Sequence, residues 1–430
     1  MHEGNETRSP AQVRVLLCGA AMAGNMGGPA LYIAMVQSLK QLAPDARVTV
    51  LSKYPLDDRP ACEEMGWRLA PFPTWMQLAF GVPFALACGF LGLLHIPRRW
   101  LARGALAEYV DNDLMIDMSG ISFSDDRPVS GLVINCLWLA PAIATGIPWV
   151  KAAQAMGPFR KPWVRAVARL LLPRAAALIA RGAVSEQFVR DLLPRASVHR
   201  LPDVAFALDP APDAAVDEAL TSAGVEPSEP YCVVGPSELL GRLMSGSAGP
   251  DAYARLMTRL VDELVRLSGH RVLLLPHARA TTVTPRLDDL NVCERMLGMC
   301  RERGSVRVLR GSFPTTVLKG VIARSEAAVG SRFHFMVAAL SSGVPAMAVA
   351  WSHKYAEMMR MVGQERFAVR HGDATEPALL ELLAELWEQR ETIRSEILRE
   401  LPEVKRQAAN NAAVALEALR GSNAGGTMRT

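Results

Sequence analysis

The chain has 430 residues, of which half are apolar and 21% are charged, a globular balance in a length sufficient for two domains. The net charge is only +4, so overall charge gives no indication of nucleic-acid binding. The seven cysteines show no CxxC pair and no zinc-binding spacing. This pattern predicts a protein without a disulfide framework that is located in a reducing cytoplasm. Residues 65–107 and 127–185 include basic residues but no acidic ones. These two stretches therefore predict a locally positive field suited to anionic ligands or anionic lipid.

Short β-rich runs alternate with helical patterns through the first half of the chain. An apolar strand is predicted at 13–18, followed by a glycine-rich turn and a helix over 31–39. Strands that alternate with helices indicate a parallel sheet with helices on both faces. Further strands of this series are predicted at 47–52, 114–118, 149–152, 178–180 and 198–201.

The glycines after the first strand do not match either common nucleotide-binding motif. Gly19, Gly24, Gly27 and Gly28 lack the Gly-x-Gly-x-x-Gly spacing, which excludes a nicotinamide-dependent dehydrogenase. A P-loop is excluded because no Gly-x-x-x-x-Gly-Lys-Ser/Thr occurs.

The run from Leu78 to Leu94 contains no charged residue and is at the short limit of a membrane span. Pro83 and the glycines of the run disfavour a straight helix. A full span would also put strands that should share one sheet on opposite sides of a membrane. Two interpretations stay open: a buried hairpin or oligomer contact, and an interfacial segment. We predict the second, an insertion at 75–96 with peripheral contact to the inner membrane face through 75–103.

The strand–helix pattern restarts after a segment rich in Pro, Asp and Ala. The new strands are predicted at 231–234, 271–275, 306–309, 327–329 and 346–350. The sequence therefore predicts an α/β protein with two Rossmann-like lobes, whose ligands bind where the strand ends face a cleft. The C-terminal helical pattern is expected to pack on the second lobe and to break at Pro402.

The predicted domain boundaries follow from these patterns. They are a disordered N-terminus at 1–10, a first lobe at 11–205, a linker at 206–230, a second lobe with the C-terminal helices at 231–421, and a disordered tail at 422–430.

Cationic side chains follow two consecutive strands of the second half. Arg332 and His334 come at the start of a helix, where exposed N–H groups and the helix dipole favour anions. His353 and Lys354 follow the next strand. Because the carboxyl ends of adjacent parallel strands meet at one edge of a sheet, we expect this cluster to converge on one pocket.

These residues lie in a pattern that resembles the signature of the polysaccharide pyruvyl transferases. The pattern is Gly330-Ser-Arg-Phe-His334, an apolar helix, Ser342-Gly-Val-Pro345 and then Lys354, with Phe333 where the family usually has leucine. Two departures stand out, since Gly28 and Gly182 occupy positions that are usually acidic. Further matches are Gly24-Asn-Met-Gly27, Asp117-Met-Ser-Gly120, Gly157-Pro158, Arg181 to Ser185 and Leu275-Pro-His277.

The resemblance implies a cytoplasmic enzyme with a GT-B-like arrangement of its lobes. It would transfer a pyruvyl group from phosphoenolpyruvate to a saccharide in cell-surface polysaccharide biosynthesis, with no cofactor and no metal. The donor carries a phosphate and a carboxylate, which suit fixed cations. Ketal formation needs a proton at the enol carbon, attack by a sugar hydroxyl and loss of phosphate, and a histidine can move such protons.

Roles for individual residues follow from this chemistry. His334 is the predicted acid–base group and Arg332 the predicted anion clamp. Donor binding is assigned to Lys354, His277 and Arg242, and the lining of the acceptor site or cleft to Gly24, Asn25 and Gly27.

Two alternative functions stay open. A sugar-nucleotide glycosyltransferase would commonly place a carboxylate against the nucleotide ribose, whereas no Asp or Glu occurs between Glu326 and Glu357. A degenerate, non-catalytic homologue in polysaccharide assembly would account for Gly28, Gly182 and the apolar run. The acceptor sugar, its attachment to lipid and the oligomeric state are left open.

Overall fold

A computed structural model describes residues 12–93, 102, 104–125, 127–249, 251–282, 287–350, 352, 354–373 and 375–424. The described chain forms two wholly parallel sheets with helices on both faces. The predicted α/β fold with two Rossmann-like lobes is confirmed. The predicted disorder at 1–10 lies outside the described residues.

The first lobe contains a seven-stranded sheet in the order β3-β2-β1-β4-β5-β6-β7. Its five inner strands are largely buried on both faces, as parallel strands between helices are. In β1, for example, Val15 and Leu17 face one core while Leu16 and Cys18 face the other. The strands are β1 Arg14–Cys18, β2 Arg47–Ser52, β3 Arg68–Pro71, β4 Leu114–Asp117, β5 Trp149–Gln154, β6 Ala177–Arg181 and β7 Val198–Leu201.

The helices of the first lobe divide between the two faces of the sheet. After β3 the chain returns to the other side of β1 to add β4, and this reversal of strand order places α1 and α2 on one face and α6, α7 and α8 on the other. The helices are α1 Gly27–Leu42, α2 Pro55–Glu64, α3 Thr74–Met76, α4 Val82–Leu93, α5 Glu108–Asp111, α6 Val129–Thr145, α7 Pro162–Leu171 and α8 Ala183–Leu192, with a π-helix at Gln77–Gly81.

The second lobe contains a six-stranded sheet in the order β10-β9-β8-β11-β12-β13. Its strands are β8 Tyr231–Gly235, β9 Arg271–Leu274, β10 Val306–Val308, β11 Ala328–Gly330, β12 Ala346–Ala350 and β13 Ala368–Arg370. Its helices are α10 Glu238–Ala248, α11 Ala252–Ser268, α12 Asp289–Met299, α13 Thr315–Ala323, α14 Phe333–Leu340, α15 Lys354–Arg360 and α16 Glu376–Glu388. It is preceded by α9 Asp213–Ser222 and followed by α17 Arg390–Ala424.

The segment predicted as a linker is folded and packed. A 3₁₀ helix at Val204–Ala207 is buried, and α9 lies against α13. One hydrophobic core runs from α1 through this segment into the second lobe. The lobes therefore meet across apolar contacts as well as across the cleft.

The C-terminal helix differs from the prediction in three respects. It continues through Pro402, which is exposed, so the carbonyl that loses its partner can bond water. Its later part packs on the first lobe, against α1 and β5, as well as on the second. It also includes 422–424, which were predicted as disordered.

Candidate functional site

The glycine-rich turn after β1 meets the second lobe directly. Met26 donates its N–H to the carbonyl oxygen of His277 at 3.1 Å, and Arg279 donates to the carbonyl oxygen of Gly24 at 2.9 Å. Asn25 forms a β-bridge with Ala278 between these bonds. The structure thus places the predicted lining residues Gly24 and Asn25 against the predicted donor-binding residue His277.

A buried carboxylate holds the same turn from the first lobe. Asp58 accepts the N–H groups of Met22 and Ala23 at 2.8 and 3.1 Å. The Cα of Gly28 lies against the carbonyl oxygen of Ala21, so any side chain at this position would collide with the backbone. Glycine at 28 is therefore required by this form of the turn, which gives the first departure a structural explanation.

His334 lies at the interface of the lobes. Its Nε2 is 3.5 Å from Oδ2 of Asp203, which follows β7 in the first lobe. Its Nδ1 faces Gly27, and a side chain at Gly27 would occupy the space of the imidazole. The ring is therefore held between the start of α1 and a carboxylate, so the third predicted lining residue, Gly27, contacts the predicted catalyst.

Asp203 is a buried carboxylate that contacts both His334 and Arg181. Arg181, at the end of the neighbouring strand β6, donates Nη1 to Asp203 Oδ2 at 2.5 Å, and Ala205 donates its N–H to Oδ1 at 2.9 Å. Burial acts to raise the pKa of the Asp203 carboxyl, but the opposing effects of His334 and Arg181 hold it below its ordinary range. Asp203 is thus ionised and able to orient His334 and to stabilise its protonated form.

Phe333 joins Arg181 to the second lobe. The Arg181 guanidinium lies over the Phe333 ring at 4.4 Å from its centre, in a cation–π contact. Arg181 also donates Nη2 to the carbonyl oxygen of Gly120 at 3.0 Å. The replacement of the usual leucine by Phe333 therefore adds a contact between the lobes.

Arg332 makes an ion pair with a carboxylate that lies far from it in sequence. Its Nε and Nη2 bond the two carboxylate oxygens of Asp289 at 2.9 and 2.6 Å. Asp289 also accepts the N–H groups of Glu238 and Ala278. The absence of acids near Arg332 in sequence did not exclude this pair, because Asp289 at the start of α12 folds in from a distant position. The guanidinium uses one N–H of Nε and one of Nη2 for this pair, so any role in anion binding is left to Nη1 and the second N–H of Nη2.

His277 is buried and its ring packs edge-on against Phe335. Burial, then the charges of His334 and Arg332, lower the pKa of His277 to about 3. Its Nδ1 has no hydrogen-bond partner among the described residues. A neutral His277 can offer hydrogen bonds near His334, whereas it adds no positive charge at neutral pH.

Lys354 lies at the same crevice between the lobes. It is the first residue of α15, which follows β12, and β12 is paired with β11. His353 lies outside the described residues. Asp203, the ion-pair partner of His334, lines this crevice together with Lys354, whereas His334 itself is not among the lining residues. The crevice is lined by Arg181, Gly182, Asp203, Phe206, Phe333, Lys354, Glu357, Met358 and Met361.

A carboxylate from the second lobe stands beside the second departure, Gly182. Glu357 Oε1 accepts the N–H of Val184 at 2.9 Å, at the start of α8. A side chain at Gly182 would approach this same oxygen to 2.9 Å. Gly182 is the N-cap residue of α8. An acidic side chain at an N-cap normally accepts such an N–H group itself. Glu357 therefore supplies from the other lobe the carboxylate that position 182 lacks.

Arg242 lies apart from this cluster. It is half-exposed on α10 and pairs with Glu238 on the same helix, with Nε 3.6 Å from Oε1. Its connection to Arg332 is indirect, through the backbone of Glu238 and Asp289. Among the described residues, no group of three or more His, Cys, Asp or Glu could hold a metal ion.

Sequence reasoning missed the carboxylates of the site. Asp203 and Asp289 both follow or begin elements at the carboxyl ends of strands, the rule that identified Arg332 and His334. Asp203 was instead assigned to the end of the first lobe, next to the linker. Glu357 carried no local signal, because its partner Val184 belongs to the other lobe.

The protein resembles solved structures of UDP-GlcNAc 2-epimerases and of a glycosyltransferase. A UDP-GlcNAc 2-epimerase from Neisseria meningitidis bound to UDP-GlcNAc has a TM-score of 0.60 and 10% identity over 95% of this chain and 100% of that one. A glycosyltransferase from Rickettsia africae has a TM-score of 0.54 and 8% identity over 96% and 100%. A UDP-GlcNAc 2-epimerase from Methanocaldococcus jannaschii has a TM-score of 0.54 and 9% identity over 88% and 92%. At these identities the likeness shows the GT-B-like fold alone.

The family comparison is more specific than the fold. The family model described as polysaccharide pyruvyl transferase matches residues 25–353. This range includes the turn at Asn25, the Arg181–Asp203 pair, and Arg332 with His334. The chain belongs to the polysaccharide pyruvyl transferase family.

Proposed function

We propose that the protein transfers the pyruvyl group of phosphoenolpyruvate to hydroxyls of a saccharide, in cell-surface polysaccharide biosynthesis on the cytoplasmic side. The observation that carries the proposal is the meeting of His334 with Asp203 across the lobes, 3.5 Å apart, at a crevice that also contains Lys354. A buried Asp–His pair beside a cation combines acid–base chemistry with anion binding in one place.

Donor binding falls to the cations and N–H groups of the second lobe. Lys354 lies at the crevice, and Nη1 of Arg332 is the nitrogen not engaged by Asp289. Arg332 is the N-cap residue of α14, and the N-terminus of this helix favours an anion. These groups would offset the phosphate and the carboxylate of the donor, while neutral His277 would add a hydrogen bond.

The proton steps fall to His334. Protonated His334 gives its proton to the methylene carbon of phosphoenolpyruvate, and a sugar hydroxyl attacks the adjacent carbon. The proton of that hydroxyl returns to the imidazole, and cleavage of the carbon–oxygen bond releases phosphate. A second hydroxyl then attacks the same carbon to close the ketal, and its proton goes to the departing phosphate, which leaves as hydrogen phosphate. Asp203 stabilises the imidazolium at the start and end of this cycle.

The structural role of both glycine departures favours the catalytic interpretation over a degenerate homologue. Gly28 fits a turn that admits no side chain, and the carboxylate missing at Gly182 is replaced by Glu357. The structure around each glycine thus accounts for the missing carboxylate. They therefore give little support to loss of activity.

The test uses the purified full chain with phosphoenolpyruvate and a panel of lipid-linked and nitrophenyl sugars. We expect phosphate release that depends on an acceptor, and a pyruvylated sugar by mass spectrometry, both unaffected by EDTA. Transfer from UDP-sugars with no use of phosphoenolpyruvate would instead support the glycosyltransferase alternative. Activity abolished by EDTA would contradict the metal-free part of the proposal.

Donor binding has its own test, by calorimetric titration of phosphoenolpyruvate. Lys354→Ala should weaken binding roughly tenfold or more, as expected for loss of a charged hydrogen bond. Lys40→Ala, an exposed lysine at the end of α1, is the matched control and should bind as the wild type does.

A further inference from the structure

Exposed apolar side chains concentrate on one outer face of the first lobe. The π-helix and α4 carry Leu78, Leu86 and Phe90 toward solvent, and the last two are 72% and 63% exposed. Their spacing of four and eight residues places them on one side of the helical segment. Phe84 and Cys88, on the other side of α4, are buried. The helix thus presents an apolar face to solvent as well as one to the protein.

Two neighbouring helices extend this surface. α4 packs on α6, where Val129 and Val133 are exposed. α7 covers the same face of the sheet, with Val164 and Ala168 in a core shared with α6, and exposes Trp163 and Leu170. We call the exposed apolar side chains of α4, α6 and α7 the outer apolar surface.

Arginines border this surface, and the nearby carboxylate of Asp125 is engaged by the N–H groups of Arg160 and Lys161, just before α7, at 2.6 and 3.2 Å. Arg165, Arg169 and Arg174, in and after α7, are exposed. None of the residues in α4, α6 and α7 is acidic. Apolar and tryptophan side chains beside arginines without acids form the pattern that binds an anionic lipid surface. No described helix is long and apolar enough to cross a membrane.

We propose that the outer apolar surface docks the protein on an anionic membrane, as a peripheral contact through α4, α6 and α7. A second copy of the chain is a poorer occupant. A two-fold interface through this surface would bring the arginines of both copies into one contact area, with no acid on these helices to pair with them. An anionic lipid surface satisfies both the apolar side chains and the arginines.

The test is flotation of the full chain with vesicles of phosphatidylcholine alone or mixed equally with phosphatidylglycerol. We expect flotation only with the mixed vesicles, weakened by salt. The double variant Leu86→Gln/Phe90→Gln should lose roughly tenfold or more in vesicle affinity. Arg169→Gln should lose roughly fivefold. These side chains are exposed, so the variants should keep the fold and the phosphoenolpyruvate-dependent activity on soluble acceptors.

Matched controls come from α2, on the opposite face of the same sheet. Leu56→Gln, at a leucine that is 78% exposed, and Arg59→Gln should float as the wild type does. The proposal is overturned if the wild type does not float with anionic vesicles, or if the α4 variant floats equally well. It is also overturned if the chain is dimeric without lipid, the α4 variant is monomeric and neither floats.

Discussion

Asp203 of the first lobe and His334 of the second face each other between the lobes, with Oδ2 3.5 Å from Nε2. The same carboxylate oxygen accepts Arg181 Nη1 at 2.5 Å. One buried anion therefore serves a structural cation and the proposed catalyst. This sharing makes stability and activity depend on the same residue.

Asp203→Asn should lower both the free energy of unfolding and the turnover of the enzyme. Loss of the charge leaves Arg181 buried without a counter-ion, which costs about 3 kcal/mol of unfolding free energy. Turnover should fall by about 10²-fold or more because the imidazolium of His334 loses its stabilising carboxylate. Denaturant unfolding and phosphate release measure the two effects. Asp209→Asn, at an exposed position, is the control, and equal behaviour of both variants would refute the role of Asp203.

The pH dependence of this effect follows from the lowered pKa of Asp203. The unfolded carboxyl titrates near its ordinary value of about 3.9, and the folded one below it. Stability from Asp203 is therefore fully present above about pH 5 and is lost as the pH falls through the folded pKa. The difference between wild type and Asp203→Asn should be constant from neutral pH to about pH 5 and shrink below about pH 4.

His277 should make the protein sensitive to mild acid. Its folded pKa of about 3 lies below the unfolded value of about 6.5, so the unfolded chain binds a proton first. The free energy of unfolding should therefore decrease as the pH falls between these two pKa values. The contribution of His277 to this slope is at most about 1.4 kcal/mol per pH unit. The variant His277→Gln should show a shallower slope in unfolding measurements from pH 7 to pH 4, a range set by these values. His199→Gln is the control, and identical slopes for His277→Gln and wild type would disprove the assignment.

Gly182 and Glu357 should be energetically coupled. Glu357→Ala removes the acceptor of the Val184 N–H and should cost about 1 kcal/mol. Gly182→Asp should also destabilise, because φ is +91° there and the new carboxylate would approach Glu357. The double variant should cost less than the sum by about 1 kcal/mol, since the carboxylate introduced at position 182 can then cap α8. Additive costs in this cycle would argue against the replacement of one carboxylate by the other.

The attachment of α17 to the first lobe depends on Asn411. Its side chain accepts the N–H of Ala153 at 3.0 Å and donates to the carbonyl oxygen of Pro202 at 3.2 Å, both in the first lobe. Asn411→Ala should cost about 1–3 kcal/mol because these backbone groups stay buried without partners. Asn410→Ala, one position earlier and partly exposed, should cost much less in the same unfolding experiment. Equal costs would contradict the role of Asn411.

Local patterns were sufficient for most of the fold. The strands β2, β7 and β12 were predicted with the bounds that the structure has. The strands β3 and β13 were missed because they are short, lie at sheet edges and are not wholly buried. The path of α17 over both lobes was missed because an amphipathic pattern shows that a face is buried but not what covers it.

The candidate site was predictable only in its cations. Arg332, His334 and Lys354 stand at consecutive strand ends, which sequence order reveals. Asp203 and Glu357 approach their partners from the opposite lobe, and such pairings depend on tertiary structure. The roles of the predicted residues remain hypotheses that substitution must test.

The most direct test of the account compares wild type with His334→Ala in turnover and in phosphoenolpyruvate binding, measured on the same preparations. We predict that turnover falls by about 10²–10⁴-fold while the affinity for phosphoenolpyruvate changes little, because His334 moves protons and the cations hold the donor. His199→Ala, on the partly exposed strand β7, should retain both properties. Near-normal turnover in His334→Ala would contradict the central claim that His334, held against Asp203, is the acid–base group.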